Sequence, residues 1–116
     1  MKNYQYVEVK KMNLAMLDYC AGVAAGINIE VRDDGELRVK VCDGIGATWA
    51  PTKNWSQTEK LFDEVTALNK SSDGWWCHYG NFLAESCDTP NIAVCKAAAS
   101  SLGIEVEIPS VLVGMK

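Results

Sequence analysis

The sequence carries little of what would commit a chain to nucleic acid, to a membrane or to an oxidising compartment. It holds 15 acidic against 11 basic side chains, a formal net charge of -4, so the broad attraction behind most non-specific affinity for phosphate backbones is missing. Direct nucleic-acid binding is not expected. The acids are also scattered, with no block of like charge to imitate a phosphate ladder. The longest apolar stretch, residues 14–29, is interrupted by Asp18 and by glycines, so no membrane span is expected. The Met-Lys-Asn start lacks the apolar region of a signal peptide. Five cysteines (Cys20, Cys42, Cys77, Cys87 and Cys95) are an odd number without C-x-x-C spacing, and they read as reduced cytosolic thiols. Gly44-Ile45-Gly46 lacks the rest of either nucleotide fingerprint, and no internal repeat or low-complexity segment is present.

What is there suffices for one domain: 116 residues with 48% hydrophobic content can enclose a single core. Residues 4–10, YQYVEVK, read as a first strand. Asn13 offers an N-cap, and Leu14, Leu17, Ala21 and Ala24 recur on one helical face up to a stop at Gly26. The opposite side of that helix, with Met16, Tyr19, Cys20 and Val23, is barely polar. Such a helix is buried on more than one side or covered by a second chain, which makes a homodimer an expectation. Ile27, Ile29 and Val31, then Asp33-Asp34-Gly35, then Leu37, Val39 and Val41 predict an antiparallel hairpin whose apolar face needs a helix on it.

Leu61, Val65 and Leu68 predict a short amphipathic helix over 58–68, although Val65-Thr66 also suits a strand. Residues 69–74 read as a turn, and 75–79 as a strand with Trp76 and His78 on one face and Trp75, Cys77 and Tyr79 on the other. Thr89 and Pro90 open a further helix with Ile92, Cys95, Ala99 and Leu102 on one face. Its small residues allow close packing on a sheet, and Gly103 stops it. Ile104, Val106 and Ile108 form a last strand ended by Pro109. The predicted fold is a compact α+β domain over 1–109, an antiparallel sheet packed by two or three helices in the order β-α-β-β-α-β-α-β. Residues 110–116 form an apolar tail that docks on the domain or on a second copy.

All four tryptophans fall in two stretches, Trp49 to Gln57 (WAPTKNWSQ) and Gly74 to Gly80 (GWWCHYG). Converging, they would form one aromatic-lined surface. There Trp49, Trp55, Trp75 or Trp76 would stack on a planar ligand, with Thr52, Asn54, Ser56 and Asn81 for hydrogen bonds, Lys53 or Lys60 for a phosphate, and His78 at the same surface, where a structural histidine is the default. The plainer alternative is that one or two of the tryptophans plug the open end of the sheet.

His78 is the only histidine, and strand alternation turns it away from neighbouring Cys77. Cys42 or Cys87 could approach it in the fold, but no spacing indicates a Cys-His catalytic pair. Nor do Cys77, His78, Cys87 and Cys95 match a zinc pattern. No catalytic residue, metal or cofactor is expected. Asp18, alone in an apolar helix, is expected to bond a neighbouring loop or to lie at a solvated edge.

Several stretches together resemble the NinX-like family of small bacteriophage proteins, a family without an agreed activity. Asn13-Leu14-Ala15-Met16-Leu17-Asp18-Tyr19 is similar to its T-G-A-A-L-D-W helix opening. Trp49 to Gln57 resembles its Y-S-P-S-T-D-W-A-Q loop, and Ala97 to Gly103 with Glu105 to Pro109 its closing helix and strand. The resemblance spans roughly residues 5–109 in order. Lys53 and Asn54 depart from it where threonine and aspartate are common, so the loop lacks a negative charge that a base or cation ligand would use.

The resemblance implies a phage accessory protein in the host bacterial cytoplasm. Joined to the aromatic stretches, it leads to the expectation of a non-enzymatic host-defence antagonist that sequesters a small nucleotide-derived signal. The alternative is an inhibitor that covers a host defence or regulatory protein with the same surface. Cys-His chemistry ranks behind both.

Overall fold

The computed structural model describes residues 3–41 and 44–114 and is an α+β fold of eight strands in three antiparallel sheets. Strand β1 (Tyr4–Glu8) leads through a turn of 3-10 helix at Val9–Lys11 into helix α1 (Leu14–Ala24). The Asn13 side chain accepts a hydrogen bond from Met16 N at 2.9 Å, the N-cap that the sequence offered. Strands β2 (Ile29–Val31) and β3 (Leu37–Val41) form the expected hairpin, closed by Gly35 at φ 88, and β4 (Gly44–Thr48) adds a third strand.

The predicted helix over 58–68 is not there. Helix α2 (Trp55–Thr58) passes into 3-10 helix at Glu59–Glu64, and the backbone is already a strand, β5 (Val65–Ser71), where the apolar spacing pointed to helix. Leu61, Val65 and Leu68 do face the interior, but across a junction of two elements. The predicted turn at 69–74 shrinks to Ser72 and Asp73, because β5 pairs with β6 (Gly74–Tyr79) as far as Ser71 opposite Gly74.

Strand β7 (Phe82–Cys87) returns along β6 after the two-residue turn Gly80-Asn81. Gly80, at φ 59 in the first central position, gives the turn the twist that tight hairpins need. Helix α3 (Pro90–Ser100) begins at Thr89, whose hydroxyl oxygen accepts from Ile92 N at 3.1 Å. Strand β8 (Glu105–Pro109) then pairs with β1, setting Val7 opposite Val106. The predicted single sheet is therefore three small ones, with β4, β5 and β7 added to the predicted strands.

The core lies where α1 and α3 cross and where α3 covers the inner face of β6 and β7. Ala93, Ala97, Ala98 and Ala99 are fully buried there, so small side chains do bring the helix close to the sheet. The tail forms a single turn of helix, α4 (Ser110–Val113), with Leu112 buried and its carbonyl accepting from Asn13 Nδ2 at 3.0 Å. The tail thus docks on its own domain. Helix α1 packs against α3, α4 and the β2–β3 hairpin, which buries most of its apolar breadth within the chain, while Leu14 and Val23 of the same helix stay exposed. Among the described residues no helix is long and apolar enough to cross a membrane.

Candidate functional site

The two tryptophan stretches fold into different kinds of structure. Trp49 is 1% exposed, and its Nε1 donates to the carbonyl of Asp18 at 2.7 Å. The indole lies against Gly22 of α1, where an added Cβ would come within 3.0 Å of Nε1 and 2.6 Å of Ile29 Cγ1. Asp18 then grips the next turn of the loop: its carboxylate accepts from Thr52 N at 2.8 Å and from Thr52 Oγ1 at 3.1 Å. Asp18 therefore bonds a neighbouring loop, one of the two placements expected of it. Burial pushes its carboxyl up to about 6, against the lowering effect of the Thr52 hydrogen bonds and of the Lys53 charge.

The rest of the loop is cross-braced. Gln57 donates from Nε2 to Thr48 O and accepts at Oε1 from Ala50 N, both at 2.7 Å. The Thr58 hydroxyl donates to Pro51 O at 2.6 Å and accepts from Asn91 Nδ2 of α3 at 2.9 Å. Gln57 and Thr58 thus hold the backbone of the loop, and Asn91 Nδ2 also donates to Pro51 O at 3.3 Å. Trp49 and Thr52, both expected at a ligand, are thus buried structural members that offer it neither an open ring face nor a free hydroxyl.

The outer side of the same loop is open. Lys53, Asn54, Trp55 and Ser56 are exposed. Asn54 caps α2, accepting from Gln57 N at 3.3 Å and from the Ser56 hydroxyl at 2.7 Å. Trp55, 43% exposed, meets Phe62 edge to face with ring centres 5.4 Å apart.

In the second stretch, alternation along β6 sends Cys77 and Tyr79 into the core and leaves Trp76 and His78 half-exposed on the outer face, as the sequence predicted. Their rings meet edge to face at 5.7 Å. Ala67 and Asn69 of β5 and Leu83 of β7 lie opposite them in register, so the outer face of this sheet is an aromatic and aliphatic patch. Trp75 packs against the core instead, and Asn81 lies exposed in the β6–β7 turn. Among the described residues no ring contact joins the Trp55–Phe62 pair to the Trp76–His78 pair.

The thiols lie on the other side of the sheet from His78. Burial raises Cys20 to about 12 and Cys77 to about 11, and it raises Cys87 and Cys95 as well, so these groups stay protonated at neutral pH. Among the described residues no three His, Cys, Asp or Glu side chains are grouped to hold a metal ion. Cys42 lies outside the described residues. A cleft of about 660 Å³, with no tryptophan in its lining, lies between β7, the first 3-10 turn and α3. Sequence reasoning missed it because β7 itself was missed, although Gly80-Asn81 between Tyr79 and Phe82 is a hairpin signal. No protein-family model matches this chain, and no curated protein matches it significantly.

Proposed function

We propose that the protein works as a non-catalytic binding protein, and that it covers another protein with the outer face of the β5–β6–β7 sheet. The observation that carries this reading is the half-exposed Trp76–His78 pair beside Leu83, which is 44% exposed. Tryptophan at the centre of such a patch is the residue type most often found at interface hot spots. An enclosed nucleotide-derived ligand is less well supported, because Trp49 and Thr52 are buried and the 660 Å³ cleft has no tryptophan in its lining. The resemblance to the NinX-like phage family supports a defence or regulatory protein of the bacterial host as the partner, met in the host cytoplasm.

Purified protein immobilised and exposed to host lysate is expected to retain one host protein at a fixed ratio. Trp76→Ala should reduce that retention by about 30-fold, the equivalent of about 2 kcal/mol at an interface hot spot, while circular dichroism stays unchanged. Saturable stabilisation by a nucleotide panel, with no host protein retained, would instead support capture of a small ligand.

A further inference from the structure

Strand β7 pairs with β6 along one edge only, and the segment FLAESC has no lysine or proline to block its other edge; a single charge is present at Glu85, and the register shifts where Glu85 and Ser86 face Trp76, with Ser86 at φ 57, so the regular part of the edge is Phe82 to Ala84. That free edge forms one wall of the 660 Å³ cleft. Val9 and Lys10 line the opposite wall, and Lys96 and Ser100 of α3 form its floor. Large apolar side chains stand in the opening: Ile104 is 84% exposed and Phe82 43%. Being walled on both sides, the cleft suits a single extended segment better than the edge of a second folded domain.

The charges in the cleft are not equivalent. Glu8 is already held by Lys11 at 3.1 Å and Lys10 at 3.6 Å. Glu85 is exposed at the register shift between β6 and β7, whereas Ala84 is buried over α3. Lys96 is half-buried, and among the described residues its ammonium makes no ion pair or hydrogen bond. A strand added to the free edge of β7 would turn alternate side chains inward over Lys96 and Ser100. An uncompensated cation at that point favours a carboxylate there.

We propose that this cleft is a docking site for an extended acidic segment of a partner protein, which adds to β7 as a further strand and sets a carboxylate on Lys96. Main-chain hydrogen bonds would supply the affinity and the Lys96 contact the selectivity. The site adjoins the aromatic face at Leu83 but has no tryptophan or histidine in its lining, and it does not depend on that face being functional.

The test uses the full ¹⁵N-labelled chain and blocked pentapeptides of sequence TVEVT, TVQVT and TVKVT. TVEVT is expected to shift the amides of residues 82–86 saturably and to bind at least tenfold more tightly than TVQVT, with TVKVT weakest. Lys96→Ala should erase the glutamate preference, Lys96→Arg should keep it, and Trp76→Ala should leave TVEVT binding unchanged. The proposal is overturned if no peptide shifts these amides at millimolar concentration, or if the preference survives Lys96→Ala. It is equally overturned if Trp76→Ala abolishes binding, or if sedimentation shows a dimer whose β7 amides are already protected.

Discussion

Trp49 and Trp76 each sit in a stretch that carries two of the four tryptophans, yet the fold uses them in opposite ways. Trp49 is enclosed between α1 and its own loop, with its one polar atom spent on Asp18 O at 2.7 Å. Among the described residues, Trp76 lies on a sheet face that no helix covers as α3 covers the inner one, and its one ring partner is the equally half-exposed His78. A buried indole needs a hydrogen-bond acceptor supplied by the fold, whereas a half-exposed one keeps water as its partner until something else arrives. Aromatic content alone therefore does not mark a site. What distinguishes the two is whether the polar neighbours point back at the chain, as Gln57 and Thr58 do, or out to solvent.

Substitutions should divide along this line. Trp49→Ala is expected to have the largest effect, a loss of about 3–5 kcal/mol of stability in urea unfolding, because it empties a core site and removes the buried bond from its indole to Asp18 O. A loss under about 1 kcal/mol would show that the loop does not depend on its indole.

Asp18 comes next and brings a pH dependence. Its folded carboxyl titrates at about 6 against an ordinary value of 3.8, so between those values the folded chain binds more protons than the unfolded one. Stability should therefore be highest at low pH as far as this group is concerned, fall as pH rises from about 4 to about 6, and level off above that. Asp18→Asn can keep both contacts with Thr52, and is expected to flatten that slope and to gain on the order of 2 kcal/mol at neutral pH. An unchanged slope, measured by unfolding across that range, would show that the carboxyl is not desolvated.

Gln57→Ala leaves Ala50 N and Thr48 O without their partner, and should cost about 1–2 kcal/mol. Trp76→Ala should change stability by less than about 1 kcal/mol while weakening partner binding by about 30-fold. A large destabilisation there would make the outer face part of the core and end the contrast.

Much of the fold could be read from short-range patterns. The caps at Asn13 and Thr89, the Asp33-Asp34-Gly35 hairpin and the alternation of β6 are local, and each appears in place. The second helix was misread because Leu61, Val65 and Leu68 keep a helical interval while the backbone changes from 3-10 helix to strand between them. Strand β4 was hidden by its two glycines, Gly44 and Gly46. For the site, the outward pairing of Trp76 and His78 followed from alternation, but the burial of Trp49 did not. Its acceptor lies 31 residues earlier, on a helix whose orientation depends on the tertiary packing. That Asp18 would bond a loop could be anticipated; that it would bond the tryptophan loop could not.

The most direct measurement is hydrogen exchange at the four indole N–H groups, followed by NMR on the native chain. The Trp49 indole is expected to exchange only through global unfolding, and the Trp76 indole as fast as that of exposed Trp55. Rapid exchange at Trp49, or protection at Trp76 equal to it, would contradict the division of labour between the two stretches.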